Sequence, residues 1–462
     1  DAYLATSGPR AGTPIVVDVE TGVINRGIFH ILRSHDVPWN RRLVYRFGGG
    51  CGTTYSQGFD LMGDPDPEVL ARGYAIASNT LTTFQVSCND VLSAETAMMT
   101  KEHFVEEYGP ADVTIGEGGS GGAIQQLLIA QDYPGILDAI APILPFPDAI
   151  SISGGVLDCA LLNRFYRSPD AAGWTDAQKT AVNGHLTSRT CDFWEQTFVP
   201  AVDPSTCGFG DAVAGVTSAI PGLGRSSFPQ PPADQVYDAD TNPTGLRCTL
   251  QDVNVNIYGK NPDTGFANRA WDNVGIQYGL SALVDGTITF DQFLTLNQRI
   301  GSHDIDGQWR PERATADAGS IRTSYRTGRV LAGGGDLRRI PILLVNLYTD
   351  PLGDIHDRYR VFAIRDRLAV DGATPNMAIW TRGLPPGRSL IDSLTGAISL
   401  GVDVVTTLDE WATALQERGG RDATTAERRA ALDATRPEAA HDTCFQPDGT
   451  VISRGDDVYA GP

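Results

Sequence analysis

The chain predicts an α/β class: a mostly parallel sheet with helices on both faces, interrupted once by a long insertion. Three observations carry this. Through residue 146, short apolar and β-branched runs alternate with helical stretches, as strand–helix–strand units do. From 147 to 339 the alternation gives way to Gly, Pro, Asp, Asn and aromatics with only short helical pieces. At Ile340 it resumes with Ile-Pro-Ile-Leu-Leu-Val-Asn-Leu. The expected division is a core of 1–146 with 340–462 and a cap or lid of 147–339. An insertion placed there lies over the C-terminal ends of the strands.

Each element follows from its own residues. Residues 14–19 and 27–32 predict edge strands, and 43–47 (Leu-Val-Tyr-Arg-Phe) an inner one. Residues 74–78 give the next apolar strand, and 93–108 an amphipathic helix capped by Ser93. Val113, Thr114 and Ile115 then lead into glycines, with a helix over 123–130. Residues 136–143 form a further strand that stops at Pro145. Within the insertion, 176–186 and 290–299 carry helical patterns. After the strand at 340–347 come a helix over 357–370, a last strand over 377–381 and a last helix over 407–418.

Composition excludes some partners. Lys+Arg number 36 against 56 Asp+Glu, a formal charge of −20 that repels nucleic acid and anionic membranes. No apolar run reaches membrane-span length: 135–146 carries Asp138 and two prolines, and 340–347 is strand-sized. The chain begins at Asp1 with neither methionine nor signal peptide, which reads as a processed or trimmed product. Seven cysteines (51, 88, 159, 191, 207, 248, 444) contain no Cys-x-x-Cys pair of a zinc site. Either up to three disulfides leave one thiol over, or the cysteines are buried thiols. Their spread and the scarcity of lysine tilt the reading towards a secreted or extracytoplasmic protein. A homo-oligomer is allowed.

The chemistry starts at Gly118-Gly119-Ser120-Gly121-Gly122, which matches Gly-x-Ser-x-Gly, the nucleophile elbow of α/β-hydrolases. A serine on so sharp a strand-to-helix turn needs neighbours without bulk. Its hydroxyl then stands at a helix N-terminus, where partial positive charge favours a developing anion. A phosphate cradle would end in Gly-Lys-Ser/Thr, and this loop does not. Residues 43–47 run into Gly48-Gly49-Gly50-Cys51-Gly52. Glycines after the third strand let a backbone N–H approach an oxyanion, so Gly49 or Gly50 with Gly121 is the expected pair. Phe47 stands where the usual His-Gly-Gly-Gly motif has histidine.

A serine also needs a base and an orienting acid. Asp350 follows the strand 340–347, where such enzymes carry the acid, with Asp354 and Asp148 as alternatives. The usual histidine after the last strand is missing, since 381–440 contains none. His356 in Gly-Asp-Ile-His-Asp is preferred as base, because it opens a helix at the sheet's C-terminal edge; His441 is the alternative. Asp354, His356 and Asp357 could also be read as metal ligands, but no further ligand cluster supports that.

Taken together, several stretches resemble a family of capped bacterial α/β-hydrolases, mostly actinobacterial and often described only as a domain of unknown function. They are Phe47-Gly-Gly-Gly-Cys-Gly, Asn89-Asp90-Val-Leu-Ser-Ala-Glu-Thr-Ala-Met-Met, Gly118-Gly-Ser-Gly-Gly, Cys248-Thr-Leu-Gln-Asp252 and Asp354-Ile-His-Asp. The resemblance spans about residues 16–445 and includes lactonases that open the macrocyclic ester of zearalenone. It implies a serine hydrolase with Ser120 as nucleophile, a cap and a variant oxyanion motif, and it favours His356. The expected function is hydrolysis, without cofactor or metal, of a bulky apolar ester or lactone of zearalenone type. The insertion's many aromatics (Phe193, Trp194, Tyr237, Tyr258, Trp271, Tyr278, Phe290, Phe293, Trp309) are mostly expected to be cap core. A polyester-oligomer hydrolase or serine peptidase and a non-catalytic binding protein are the rival readings.

Overall fold

A computed structural model describes residues 2–58, 63–204, 231–369, 374–385, 401–418 and 423–459. The strands in chain order are β1 (Ala2–Leu4), β2 (Pro14–Ile24), β3 (Gly27–Ser34), β4 (Arg42–Gly48), β5 (Ala75–Thr83), β6 (Val113–Gly119) and β7 (Ala139–Ile143). They continue with β8 (Ser302–His303), β9 (Trp309–Arg310), β10 (Ile342–Leu347), β11 (Met377–Arg382), β12 (Thr443–Phe445) and β13 (Val451–Arg454). Eleven form one sheet in the order β1-β2-β3-β5-β4-β6-β7-β10-β11-β12-β13. From β5 to β12 every neighbour is parallel, and antiparallel strands close both edges. The exchange of β4 and β5 in an otherwise sequential order is that of the α/β-hydrolase sheet.

Why these residues make this sheet is clearest at β4. Leu43, Tyr45 and Phe47 pack into one buried cluster and Val44 into the cluster on the opposite face. A central parallel strand covered on both sides needs apolar residues at every position. The helix Gly121–Asp132 covers one face and is buried from Gly121 to Gln131; Gly401–Arg418 covers the other with Val404, Val405 and Leu408.

Several expectations are corrected. β2 and β3 form a long hairpin whose two turn residues, Asn25 and Arg26, both have positive φ (53° and 71°), the conformation that matches strand twist. The helix expected from Ser93 starts at Asp90, and Asn89 caps it by accepting from Leu92 N at 3.1 Å. Ser93 instead is buried and donates to Gln125. Strand 377–381 is not the last: β12 and β13 extend the sheet, and they are too short and too mixed to show a period.

Between β7 and β10 the described residues form helices joined by loops and one small hairpin, β8–β9, with their own buried cluster of Leu161, Phe165, Trp174, Tyr278 and Leu296. A disulfide, Cys159–Cys191, staples the helix Ala149–Tyr166 to Arg189–Phe198. A second, Cys51–Cys88, joins the loop after β4 to the segment before Asp90–Tyr108. Cys248 is also disulfide-bonded, Cys444 is a free thiol, and Cys207 lies outside the described residues. No helix among the described residues is long and apolar enough to cross a membrane.

Candidate active site

The turn after β6 positions Ser120. Its backbone sits at φ 57°, ψ −117°, a strained region for a side-chain-bearing residue, immediately before the helix Gly121–Asp132. Ser120 N donates to Ile143 O at 2.9 Å, tying the elbow to β7. A Cβ on Gly118 or Gly122 would collide with the Phe47 carbonyl, and one on Gly121 with the Gly50 carbonyl. Three of the four glycines around the serine, Gly118, Gly121 and Gly122, therefore answer to close backbone packing between β4 with its following loop, β6 and the helix.

The loop after β4 lies against this turn. A Cβ placed on Gly49 would be 3.5 Å from Ser120 Cβ and 3.9 Å from Gly121 N. Two of its carbonyls are engaged elsewhere, Gly48 O accepting from Phe84 N and Gln125 Nε2 and Gly49 O from Gln85 N, while the Gly50 carbonyl faces Gly121. Among the described residues the N–H groups of Gly49, Gly50 and Gly121 have no acceptor. Three uncommitted donors beside one hydroxyl are the means to hold an oxyanion.

His356 sits on the loop after β10, two strands from β6, so roughly 10 Å along the sheet edge. Its Nδ1 lies 2.7 Å from Asp354 Oδ1, which also accepts from His356 N at 3.0 Å. The ring packs on Phe146, the aromatic just beyond β7, with centroids 5.0 Å apart. His356 Nε2 is buried and has no hydrogen-bond partner, so it is not bonded to the Ser120 hydroxyl here. Burial alone would raise the Asp354 carboxyl; His356 and the N–H groups of Ile355 and His356 hold it below its ordinary value. Asp357 next door goes the other way, pushed up to about 7 by burial against the opposing charge of Arg360.

The other candidates are engaged elsewhere. Asp350, expected as the acid, does not reach His356: its carboxylate accepts from Arg358 N at 2.8 Å, closing the turn that leads to the helix Tyr359–Leu368. Asp148 is fully buried and caps Ala149–Tyr166 through Ser151 N at 2.7 Å, while Leu331 N and Arg367 take its other oxygen. His441 pairs with Asp456 at 3.0 Å just before β12, four strands from β6 and so about 19 Å along the sheet. Cys159, His185 and Cys191 group as metal ligands would, but the two sulfurs are bonded to each other. Phe146 and Thr349, whose hydroxyl donates to His356 O at 3.1 Å, were not singled out from sequence. The aromatic after β7 was the available signal for the first.

Elements of the insertion meet this edge. Trp194 Nε1 donates to Gly353 O at 3.1 Å, Tyr55 donates to Asp252 at 2.9 Å, and His185 lies 3.9 Å from Asp357. Burial, and then the charge of Arg360, hold His185 down to about 4, so it is neutral near pH 7.

Three solved structures share some of this shape. Feruloyl esterase B from Aspergillus oryzae is 14% identical over 81% of this chain and 74% of its own, with a TM-score of 0.38. An esterase from Aspergillus oryzae is 14% identical over 80% and 72%, at 0.32. A lipase in its open form is 12% identical over 85% and 99%, at 0.34. Overlap this loose says nothing of substrate. No curated protein matches the sequence. The profile of the tannase-like family of unknown function (DUF6351) matches residues 5–460, and the chain belongs to that family.

Proposed function

We propose that the protein is a serine-dependent carboxylic-ester hydrolase acting on bulky apolar esters or lactones. Ser120 is the nucleophile, His356 the base and Asp354 the acid that orients it. The observation that carries this reading is an imidazole whose Nδ1 is held by a carboxylate while its buried Nε2 is bare, on the same sheet edge as a serine elbow. With the Nδ1 proton donated to Asp354, the lone pair resides on Nε2. Membership of a tannase-like family supports ester cleavage in general.

Ser120 Oγ attacks the carbonyl while its proton passes to His356 Nε2. The N–H groups of Gly121 and of Gly49 or Gly50 take up the oxyanion. Collapse expels the alcohol with that proton and leaves an acyl-serine, which water activated by His356 hydrolyses. A lactone leaves as one ring-opened product. The base-to-nucleophile bond of such sites is long before substrate enters and tightens in the complex. In this reading 147–339 is the cap over a core of 1–146 and 340–462. The finer proposal, a zearalenone-type lactone, rests on the sequence motifs and on the aromatic residues of the insertion, of which Tyr258 and Trp271 line a cavity.

Intact-mass analysis after fluorophosphonate treatment tests the assignment. Wild type and Asp350→Asn should take one adduct, Ser120→Ala none, and His356→Ala should react far more slowly. Labelling that survives loss of His356 but vanishes in His441→Ala would overturn the base. Side-by-side assay of zearalenone, aryl esters, polyester oligomers and peptides ranks the substrates, and cleavage of peptides alone would sink the esterase reading. A folded protein that takes no adduct is a non-catalytic scaffold.

A further inference from the structure

Between the insertion and the sheet edge lies a cavity of about 110 Å³. Its lining includes Cys51 and Cys88, the disulfide at the end of the Gly49–Gly50 loop, so it adjoins the proposed oxyanion donors; neither Ser120 nor His356 lines it. Trp271 and Tyr258 supply aromatic wall. Trp271 is seated on the helix Ala149–Tyr166 at Gly154, where a Cβ would come within 2.7 Å of the indole Nε1.

The charged residues of the lining are not equivalent. Arg329 is paired with Asp90 at 2.9 Å, both buried. Asp304 Oδ1 accepts from Asp306 N and Gln308 N at 2.9 and 2.8 Å. Arg269 has neither carboxylate nor carbonyl: among the described residues its guanidinium meets only the rings of Phe266 and Trp271, 5.1 and 5.9 Å from their centroids. Burial, with Arg310 as the adjacent charge, pulls it down to about 10. His303 is 8% exposed and its Nδ1 is buried without a partner. Both groups line the same cavity, and burial first, with the charge of Arg269 second, holds His303 down to about 4, neutral near pH 7. A desolvated guanidinium without a counter-ion is costly, and its planar fork suits a carboxylate.

We propose that this cavity is an anion subsite, in which Arg269 with His303 beside it takes the carboxylate of an aromatic ester whose scissile bond lies at Ser120. The proposal rests on the serine-hydrolase reading but departs from its apolar substrate: the ester it favours carries a second, ionised carboxyl group at the remote end. A neutral macrolactone is then a poorer substrate than such an ester.

Two measurements on the intact protein test it. The first compares kcat/KM for a monoethyl ester of an aromatic dicarboxylic acid with its uncharged carboxamide isostere. Wild type should prefer the acid by about tenfold or more, and Arg269→Gln should erase the preference by raising KM for the acid ester far more than for the carboxamide ester. Arg269→Lys, which keeps the charge, should retain part of it. The second is calorimetric binding of benzoate, expected for wild type and lost in Arg269→Gln. Equal turnover of the two esters by wild type, or benzoate affinity unchanged by Arg269→Gln, overturns the subsite while leaving the hydrolase intact. Arg269-dependent benzoate binding without turnover of any ester overturns the hydrolase and leaves the subsite.

Discussion

The sheet edge and the insertion are built by different rules. At the edge, backbone does the positioning: glycines fix how close β4, β6 and the helix Gly121–Asp132 come, and the reactive serine is a by-product of that packing. In the insertion, side chains do it: aromatic contacts, an arginine stacked on rings and a disulfide hold short helices together. Backbone geometry tolerates almost no substitution, whereas a side-chain framework can be re-cut. Under the proposed function, reaction chemistry is thereby lodged in the rigid half and selectivity in the adjustable one.

The largest test of that division is on the sheet side. Ser120→Ala should lower ester turnover by about 10⁴-fold or more with little change in melting temperature, measured by single-turnover kinetics and calorimetry. Asp354→Asn should cost about 10²- to 10⁴-fold in kcat by releasing the His356 tautomer, while Asp350→Asn should cost little; the reverse ranking would restore Asp350 as the acid. Gly122→Ala should destabilise the fold by about 1–3 kcal/mol in denaturant titration, because the added methyl meets the Phe47 carbonyl. In the insertion, replacing both Cys159 and Cys191 by serine should cost about 3–4 kcal/mol of local stability, visible as faster hydrogen exchange there and unchanged protection of β4 and β6. Global loss of protection would mean the two halves are one cooperative unit.

The smallest effect concerns pH. Asp357 is raised from 3.8 to about 7, so the folded chain binds more protons than the unfolded one between those values. Stability should therefore fall as pH rises through that window, and Asp357→Asn should flatten the fall in melting temperature. Asp354 is shifted the other way, so its contribution is present above its unfolded value and is lost as pH drops below it.

Legibility followed the same line. The elbow could be read because five consecutive residues carry it, and β4 because burial on both faces leaves Leu43, Val44, Tyr45 and Phe47 apolar, with only Arg46 breaking the run. His356 was reached by elimination among seven histidines and by resemblance. Position in the chain favours Asp350 over Asp354, whereas contact with His356 turns on a local bend: the carboxylate two residues before His356 folds back onto its own loop, and the one before Pro351 closes a different turn. Arg269 and His303 were invisible as a pair because 34 positions separate them and only the tertiary fold joins them to one cavity.

In the proposed assignment the acid and the base stand only two residues apart, an unusual cassette. Where these groups come from separate strands, their mutual distance depends on two registers, and any slippage of one against the other spoils the pair. Here both ride on the connection leaving β10, so insertions or swaps elsewhere leave their partnership untouched, and only its alignment to the serine must be preserved. A short peptide graft carrying Asp354 through Asp357 should thus transplant the carboxylate–imidazole contact, provided the host supplies the packing that Phe146 and Thr349 give His356 here.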